Sequence, residues 1–312
     1  MAIDVSIIIP LYNKEDVIWQ TLNSVSLQSY KDWECIIVDD GSTDKSLDVV
    51  ESFIKEHPGN WKIIQQPNQG QAVARNNGIA NAIGSLLAFL DADDLWPLDK
   101  LSTQVAALAN NPKAVAVFSS YAIFGNSKKS LRIVRHASSK EMLTRWLDMS
   151  GFGGGLESVG LVRRSAIDDI GYFDTVLSTS SGIDFSLRLS KIGEILVLKD
   201  IGLFYRLSQG QWHSNLDELN RNTALIRGKY SDLYQGNLER SHSAYLFWAS
   251  ARKKSRGYQL SEFFKAVFNL KNGRARMLIR LIQRNLKSTI LGRMQGRALR
   301  QMLTDLESKN DD

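Results

Sequence analysis

One stretch strongly constrains the fold of this chain. The apolar run Leu86–Leu90 is followed directly by three acidic residues within four positions, Asp91, Asp93 and Asp94. A short continuous apolar run is typical of a buried parallel strand. Carboxylates that follow such a strand lie at the carboxyl edge of the sheet, where open α/β sheets bind ligands. The stretch therefore predicts an α/β fold with an acidic ligand site at one edge of its sheet.

The acidic residues after this strand have two interpretations. Carboxylates this close together repel one another unless a cation lies among them, and Mg2+ takes oxygen ligands of this kind together with substrate phosphates. The alternative is an acidic surface turn, in which Asp94 caps the N-terminus of a helix. The acidic residues alone leave both interpretations open.

Three further strands are predicted before this one, at Val5–Ile9, Trp33–Val38 and Trp61–Ile64. The segments between the strands carry apolar residues at helical spacing, and the third predicted helix spans Gly70–Ala82. In the second half, two strands are predicted, at residues 114–118 and 121–124. Right-handed crossovers turn the β-α-β-α-β-α-β pattern of the first half into a parallel, doubly wound sheet with its motifs on one rim.

The predicted rim has polar motifs where three of its strands end. They are Pro10-x-Tyr12, Asp39-Asp40-Gly41 and Asp91-x-Asp93-Asp94. The rim lacks the Gly-x-Gly-x-x-Gly of dinucleotide-binding dehydrogenases and the Gly-x-x-x-x-Gly-Lys of P-loop proteins. What remains is a nucleotide site built from acids, which can bind a diphosphate when a metal ion lies between them.

Four blocks of the sequence, in this order, resemble the family 2 inverting glycosyltransferases of the GT-A fold. The blocks are Ser6–Asn13, Ile37–Asp44, Ala74–Ala80 and Phe89–Asp94. The resemblance implies a Rossmann-like α/β domain with a mostly parallel central sheet. Processive members of the family carry a Gln-x-x-Arg-Trp element and flanking membrane helices, and neither is recognised here. The resemblance therefore favours transfer of a single sugar.

The resemblance also implies roles for individual residues on the donor side. Pro10 and Tyr12 would flank the nucleotide base, and Asp40 or Asp39 would accept hydrogen bonds from its edge. Arg75 would reach the nucleotide from the third helix. Tyr12 as a packing residue and Arg75 as a solvated helix residue are the alternatives.

The acidic motif itself is implied to bind both the donor and a divalent ion. Asp91 would lie by the ribose and the metal, Ala92 would line the nucleotide-sugar site, and Asp93 would bind the Mn2+ or Mg2+ that holds the donor diphosphate. These residues then form the donor and metal site.

Inverting transfer also needs a base, because a carboxylate must take the proton of the attacking acceptor hydroxyl. At Gly182–Leu189 the family usually has a Glu-Asp pair whose Asp is the base, and the resemblance assigns that role to Asp184. Ile183 stands where the Glu is usual. A carboxylate in the first turn of a helix is also favoured by the helix dipole, so a purely structural role for Asp184 is the alternative.

Charge is concentrated in one late segment. Residues 251–300 contain 14 Lys and Arg against one acidic residue, whereas residues 1–250 contain 24 against 28. Apolar residues recur at helical spacing in the basic segment. It is therefore predicted either to pack on its own domain or to lie on an anionic membrane surface as an amphipathic helix. Nucleic acid is not expected as a partner, because the aromatic residues lie upstream of the basic ones.

Two domains are predicted. The first is a GT-A domain at residues 1–213, with a nucleotide-sugar half at 1–110 and an acceptor and catalytic half at 111–213. The second is a helical, basic, amphipathic region at 214–312. A single cysteine, Cys35, together with the absence of a recognisable leader or an 18-residue apolar run, predicts a cytoplasmic protein, peripheral at most to the membrane.

The sequence thus predicts a divalent-metal-dependent glycosyltransferase. It would move one sugar from a nucleotide-diphosphate donor, with UDP favoured, to a hydroxyl of a glycan or glycolipid acceptor in surface polysaccharide or lipopolysaccharide biosynthesis. Two alternatives stay open. The first is a glycosyltransferase whose acceptor is a polyprenyl phosphate, and the second is a catalytically silent nucleotide-sugar-binding module.

Overall fold

A computed structural model describes residues 3–125, 132–135, 138, 157–177, 180–207 and 216–231. The basic segment 251–300 and most of the predicted region 214–312 lie outside the described residues.

The first half alternates strands and helices as predicted. Its strands are β1 (Val5–Leu11), β2 (Trp33–Asp39), β3 (Trp61–Gln65) and β4 (Leu86–Phe89), and its helices are α1 (Ile18–Ser26), α2 (Ser46–Glu56), α3 (Gln71–Asn81) and α4 (Lys100–Ala109). The four strands are parallel in the order β3-β2-β1-β4. Every residue of β1 and β2 is buried, which explains why these strands are apolar runs rather than alternating ones.

The second half extends the same sheet. Its elements are β5 (Ala114–Gly125), β6 (Arg132–Val134), a 3-10 helix (Glu157–Val159), β7 (Gly160–Arg163), α5 (Arg164–Ile170), α6 (Ser181–Ile192), β8 (Glu194–Leu207) and α7 (Leu216–Lys229). β7 pairs antiparallel with both β4 and β5, and β8 runs parallel to β5. Among the described residues, eight strands thus form one mixed, mostly parallel sheet. The α/β fold class is confirmed.

One detail of the predicted second half is wrong. The two strands expected at residues 114–118 and 121–124 are one strand, because Ser119 and Ser120 continue the ladder with β8 through a register irregularity. Polar residues inside an apolar run suggest a break. Here, however, Ser119 accepts a hydrogen bond from Gln104, and Ser120 donates one to the carbonyl of Leu198.

Helix α3 lies unusually close to the sheet. A Cβ on Gly78 would collide with the side chain of Ile8 in β1, so a larger residue would force the helix away. This close approach places Arg75, one turn earlier on α3, beside the carboxyl ends of β1 and β4.

Helix α7 lies in the same compact unit as the sheet, which extends over Met1–Tyr234. It begins after the boundary predicted at residue 213, and its last residues contact α6. Within the part of the chain that the structure describes, no helix has the length and apolarity needed to cross a membrane.

Candidate active site

The polar motifs of the first half meet on one rim, at the carboxyl ends of three parallel strands. Tyr12 follows β1, and its side chain is 45% exposed. The backbone amide of Asp40 donates to the carbonyl of Leu11, which holds the end of β2 beside the end of β1. Pro10 is buried within β1, two residues before the exposed ring. A ligand can therefore reach Tyr12 from solvent, whereas Pro10 is covered by the surrounding structure.

The two acids after β2 differ in their surroundings. Asp40 is 3% exposed and accepts three hydrogen bonds of 2.8 Å, from the Gln66 side chain and from the backbone amides of Gln69 and Gly70. Gly70 precedes α3 and has φ +91°, so Asp40 holds the start of that helix. Asp39 accepts one bond, of 3.1 Å, from the amide of Ser42. A carboxylate has about four acceptor positions, so both acids keep capacity for a ligand.

Arg75 is 2% exposed and joins two carboxylates from distant parts of the chain. It donates to Asp91 Oδ1 at 2.7 Å and to Glu157 Oε1 at 3.2 Å. Asp91 Oδ1 also accepts from Gln71 Nε2 at 2.7 Å. The alternative of a solvated helix residue is therefore wrong for Arg75, which is buried at the rim. These three residues are named here the Arg75 cluster (Arg75, Asp91 and Glu157).

The acids that follow Asp91 are held from two sides. Asp93 Oδ2 pairs with Lys14 Nζ at 2.6 Å, and Lys14 comes two residues after Tyr12. Asp94 is fully buried, and its Oδ1 accepts from the backbone amide of Arg206 at 2.8 Å. Burial and the neighbouring acids Asp91 and Asp93 raise the pKa of Asp94 well above its usual range. Asp94 does not cap a helix, because α4 begins only at residue 100.

The oxygen ligands at this rim fit a divalent cation bound together with a diphosphate. Burial raises the pKa of Asp91, with Arg75 opposing that shift and Glu157 and Asp93 adding to it. A cation among these carboxylates would relieve their repulsion, and Mg2+ typically binds through one or two carboxylates plus substrate phosphates. Within the described residues, no three His, Cys, Asp or Glu side chains converge as a complete metal site. A metal bound by Asp91 and Asp93 together with phosphate oxygens fits this arrangement.

Ala92 contributes its backbone rather than its side chain. Its carbonyl accepts from Thr21 Oγ1 at 3.0 Å, and the same hydroxyl lies 2.9 Å from the carbonyl of Asp94. Thr21 of α1 therefore fixes the turn that carries Asp91 and Asp93.

Asp184 lies in the first turn of α6, as expected, but its carboxylate is closed off. The residue is 0% exposed, with Oδ1 bound to Tyr230 and Lys229 at 2.7 and 2.6 Å and Oδ2 bound to Arg188 at 2.8 Å. Burial alone would raise its pKa, but hydrogen bonds from Lys229 and Tyr230 and the charge of Arg188 lower it. These four residues are named here the Arg188 cluster (Asp184, Arg188, Lys229 and Tyr230). The role of Asp184 as a base stays a prediction.

Two residues at the rim were not predicted from the sequence. Lys14 directly follows the first block, and Glu157 begins the 3-10 helix before β7. The position of Lys14 in the loop after Tyr12 was a usable signal for a charged partner of the acids. Glu157 belongs to none of the four blocks, and only the fold brings it to Arg75.

The Glycosyl transferase family 2 profile matches residues 6–171, which is more than half of the chain. The chain belongs to this family. Two curated relatives are similar in sequence over shorter stretches. The putative teichuronic acid biosynthesis glycosyltransferase TuaG of Bacillus subtilis is 38% identical over 133 residues, which cover 43% of this chain and 52% of TuaG.

The second relative is the UDP-Glc:alpha-D-GlcNAc-diphosphoundecaprenol beta-1,3-glucosyltransferase WfgD of Escherichia coli. It is 35% identical over 127 residues, which cover 39% of this chain and 47% of WfgD. The aligned stretches thus span about half the length of these relatives. Among solved structures, S. aureus TarS 1–349 in complex with UDP-GlcNAc matches 85% of this chain and 79% of its own, with a TM-score of 0.61 and 21% identity. This likeness shows the GT-A fold.

Proposed function

We propose that this family 2 protein transfers a single sugar from a UDP-sugar to a hydroxyl of a glycan or glycolipid acceptor, with inversion at the anomeric carbon. The observation that carries the proposal is the rim itself. Asp91 and Asp93 follow a buried strand, and exposed Tyr12 and the acids Asp39 and Asp40 lie at the ends of the neighbouring strands. An aromatic ring for the nucleobase, oxygens that can accept its hydrogen bonds and carboxylates suited to a metal-bound diphosphate on one rim support the proposal.

Different rim residues would bind the nucleobase and the diphosphate of the donor. Tyr12 offers a face for the base to stack on, and Asp39 or Asp40 accepts a hydrogen bond from the base edge. A divalent ion supplies charge stabilisation to the leaving diphosphate when bound, with Asp91 and Asp93 as the residues that would hold it. Lys14, which lies 2.6 Å from Asp93, adds positive charge where the diphosphate would bind.

The class of donor and acceptor is supported by the relatives. The name of WfgD specifies UDP-Glc as its donor and a lipid-linked sugar as its acceptor, and TuaG is named for teichuronic acid biosynthesis. TarS has been crystallised with UDP-GlcNAc. We extend from these to a UDP-sugar donor, and to an acceptor in surface polysaccharide or lipopolysaccharide biosynthesis.

The decisive experiment is hydrolysis of a panel of nucleotide sugars by the purified protein with Mn2+ or Mg2+. Water then replaces the acceptor, so the acceptor need not be known. We expect slow release of UDP from one UDP-sugar, abolished by EDTA. Asp93→Ala should reduce the rate to background, whereas Asp169→Ala, which changes an exposed acid of α5, should match the wild type.

Two outcomes would contradict the proposal. Turnover that persists in EDTA would contradict the metal. If no donor is hydrolysed, titration calorimetry with UDP and Mn2+ decides the rest: metal-dependent UDP binding without turnover would favour the silent nucleotide-sugar-binding module, and no binding would exclude a donor site altogether.

We also propose that the basic segment 251–300 contacts an anionic membrane where a lipid-linked acceptor is found. The support is its charge, 14 Lys and Arg against one acidic residue, with about 1 kcal/mol available per basic residue near such a surface. The full chain should cosediment with anionic vesicles more than with neutral ones, and a version ending at Ser250 should lose this preference. Equal partitioning of the two versions would refute it.

A further inference from the structure

The carboxylate assigned as the base from the sequence belongs to the Arg188 cluster and not to the Arg75 cluster. Two stacked rings lie between Arg75 and Arg188: Phe173 and Phe185 have centroids 4.2 Å apart. The guanidinium of Arg75 lies 5.4 Å from the Phe173 centroid, and that of Arg188 lies 5.6 Å from the Phe185 centroid. The two rings thus form an apolar layer between the Arg75 cluster and the Arg188 cluster.

Asp184 is also closed off from an acceptor hydroxyl. Both of its carboxylate oxygens already accept charged or hydroxyl donors, and the residue is 0% exposed. A general base must come within hydrogen-bond distance of the proton that it removes. For Asp184 this would require breaking a buried ion pair and opening the contact with α7.

A different carboxylate, that of Glu157, lies against the first turn of α6. A Cβ built on Gly182 would overlap Oε1 and Cδ of Glu157 and would lie 2.7 Å from its Oε2. The carboxyl group of Glu157 therefore fills the space that a side chain at position 182 would take. A glycine at that position is what allows Glu157 to be there.

The same carboxyl group faces the donor acids. Glu157 Oε1 accepts from Arg75, whose other terminal nitrogen binds Asp91. Among the described residues no donor is bonded to Glu157 Oε2. The amide of Asp91 donates to the hydroxyl of Ser158, the next residue, at 3.2 Å, so the 3-10 helix is fixed to the end of β4. Glu157 is thus held next to the donor site with one oxygen available.

We propose that Glu157 is the general base of the transfer reaction; this rests on the proposed function. Glu157 Oε2 takes the proton of the attacking hydroxyl while the hydroxyl oxygen bonds to the anomeric carbon. The bond from that carbon to the diphosphate oxygen breaks, and its electron pair leaves on the diphosphate. One C–O bond forms, one breaks, and the proton passes from the glutamic acid to solvent. Asp184 then serves to position α6.

The test uses hydrolysis of the UDP-sugar that the wild type cleaves fastest, with UDP binding measured by calorimetry in Mn2+. Glu157→Gln keeps the size of the side chain but cannot take a proton. It should lose about 100-fold or more in rate, while its UDP affinity stays near that of the wild type. Glu51→Gln, at an exposed position of α2, is the matched control and should be unchanged.

A second variant moves the carboxylate to the other side of the same space. In Glu157→Ala/Gly182→Asp, the aspartate on α6 would begin where the Glu157 carboxyl group lay. This double variant should recover at least tenfold over Glu157→Gln. Glu157→Asp keeps the charge beside Arg75 but withdraws it by one methylene, so it should fold and still lose at least tenfold, a range typical for a displaced base.

The outcomes separate this proposal from the proposed function. If the wild type hydrolyses no UDP-sugar, the proposed function fails and the assignment of the base fails with it. If the wild type is active and Glu157→Asp or Glu157→Gln is as fast, only the assignment of Glu157 is overturned. It is also overturned if Asp184→Asn keeps UDP binding but loses 100-fold while the Glu157 variants do not. Should Glu157→Gln fail to fold, Glu157→Asp and the double variant decide.

Discussion

The Arg75 cluster and the Arg188 cluster both pair an arginine with carboxylates, but they differ in how far the carboxylates are exposed. In the Arg75 cluster the carboxylates are partly reachable, with the Asp91 side chain 18% exposed and that of Glu157 9% exposed. In the Arg188 cluster Asp184 is sealed, and Arg188 also donates to the backbone carbonyls of Ile170, Gly171 and Tyr172. The first cluster is partly open to solvent, as the proposed donor site requires, whereas the second joins two helices and a loop.

The largest effect is expected on stability, when the Arg188 cluster is broken. Arg188→Met removes the partner of Asp184 Oδ2 and leaves a buried charge only partly compensated, which costs about 3–5 kcal/mol of unfolding free energy. Urea denaturation followed by circular dichroism measures this loss. Arg221→Met, at an exposed position of α7, is the matched control and should change stability little. A loss as small as that of the control would mean that the Arg188 cluster is not a structural one.

Relative to the stability that each change costs, replacing the arginine of the Arg75 cluster should lower the rate more than replacing that of the Arg188 cluster. Lysine cannot contact Asp91 and Glu157 as the planar fork of Arg75 does. Arg75→Lys should therefore slow donor hydrolysis by about 100-fold, equivalent to about 2.7 kcal/mol. Arg188→Lys is the contrasting variant, and it should lose stability with a smaller loss of rate. If Arg75→Lys and Arg188→Lys showed the same ratio of rate loss to stability loss, the two clusters would not differ in role.

A smaller loss of stability is expected where α7 contacts the Arg188 cluster. The hydroxyl of Tyr230 donates to Asp184 Oδ1 at 2.7 Å, and Tyr230→Phe removes that bond without changing the ring. The cost should be about 1–3 kcal/mol, because a buried charged acceptor loses one donor. Tyr172→Phe, on a 42% exposed ring, is the control in the same urea experiment. UDP affinity should not change in either variant.

The sequence predicted the rim well because its motifs are local. Each strand ends where an apolar run meets polar residues, and parallel neighbours bring such ends together whatever the loops contain. Asp91, Asp93, Tyr12 and the acids after β2 were found in this way. Their common position at the edge of the sheet follows from strand order alone.

The surroundings of Asp184 could not be predicted in this way. Its burial depends on Tyr230, which lies 46 residues later in the chain, and no periodic pattern relates the two. Glu157 is separated from its partner Arg75 by 82 residues. An acid in the first turn of a helix has the same sequence signature whether it faces a ligand or a neighbouring helix, so only the fold distinguishes the two carboxylates.

The smallest expected effect is on the pH dependence of stability, which tests the Arg188 cluster through the ionisation of Asp184. The pKa of Asp184 is lowered in the folded protein, so its contribution to stability is fully present above the unfolded pKa of about 3.9 and is lost as the pH falls through the lower folded value. Between pH 7 and pH 5 the melting temperatures of the wild type and Asp184→Asn should therefore differ by a constant amount. Below about pH 4 the difference should shrink, while Asp169→Asn follows the wild type throughout.

A difference that already changes between pH 7 and pH 5 would point the other way. It would mean that the pKa of Asp184 is raised in the folded protein, as in a carboxyl group that burial leaves without enough donors. Such a carboxyl group can exchange a proton near neutral pH, which a general base must do. The comparison between the two clusters would then reverse, with the base in α6 and Glu157 as the structural partner of Arg75.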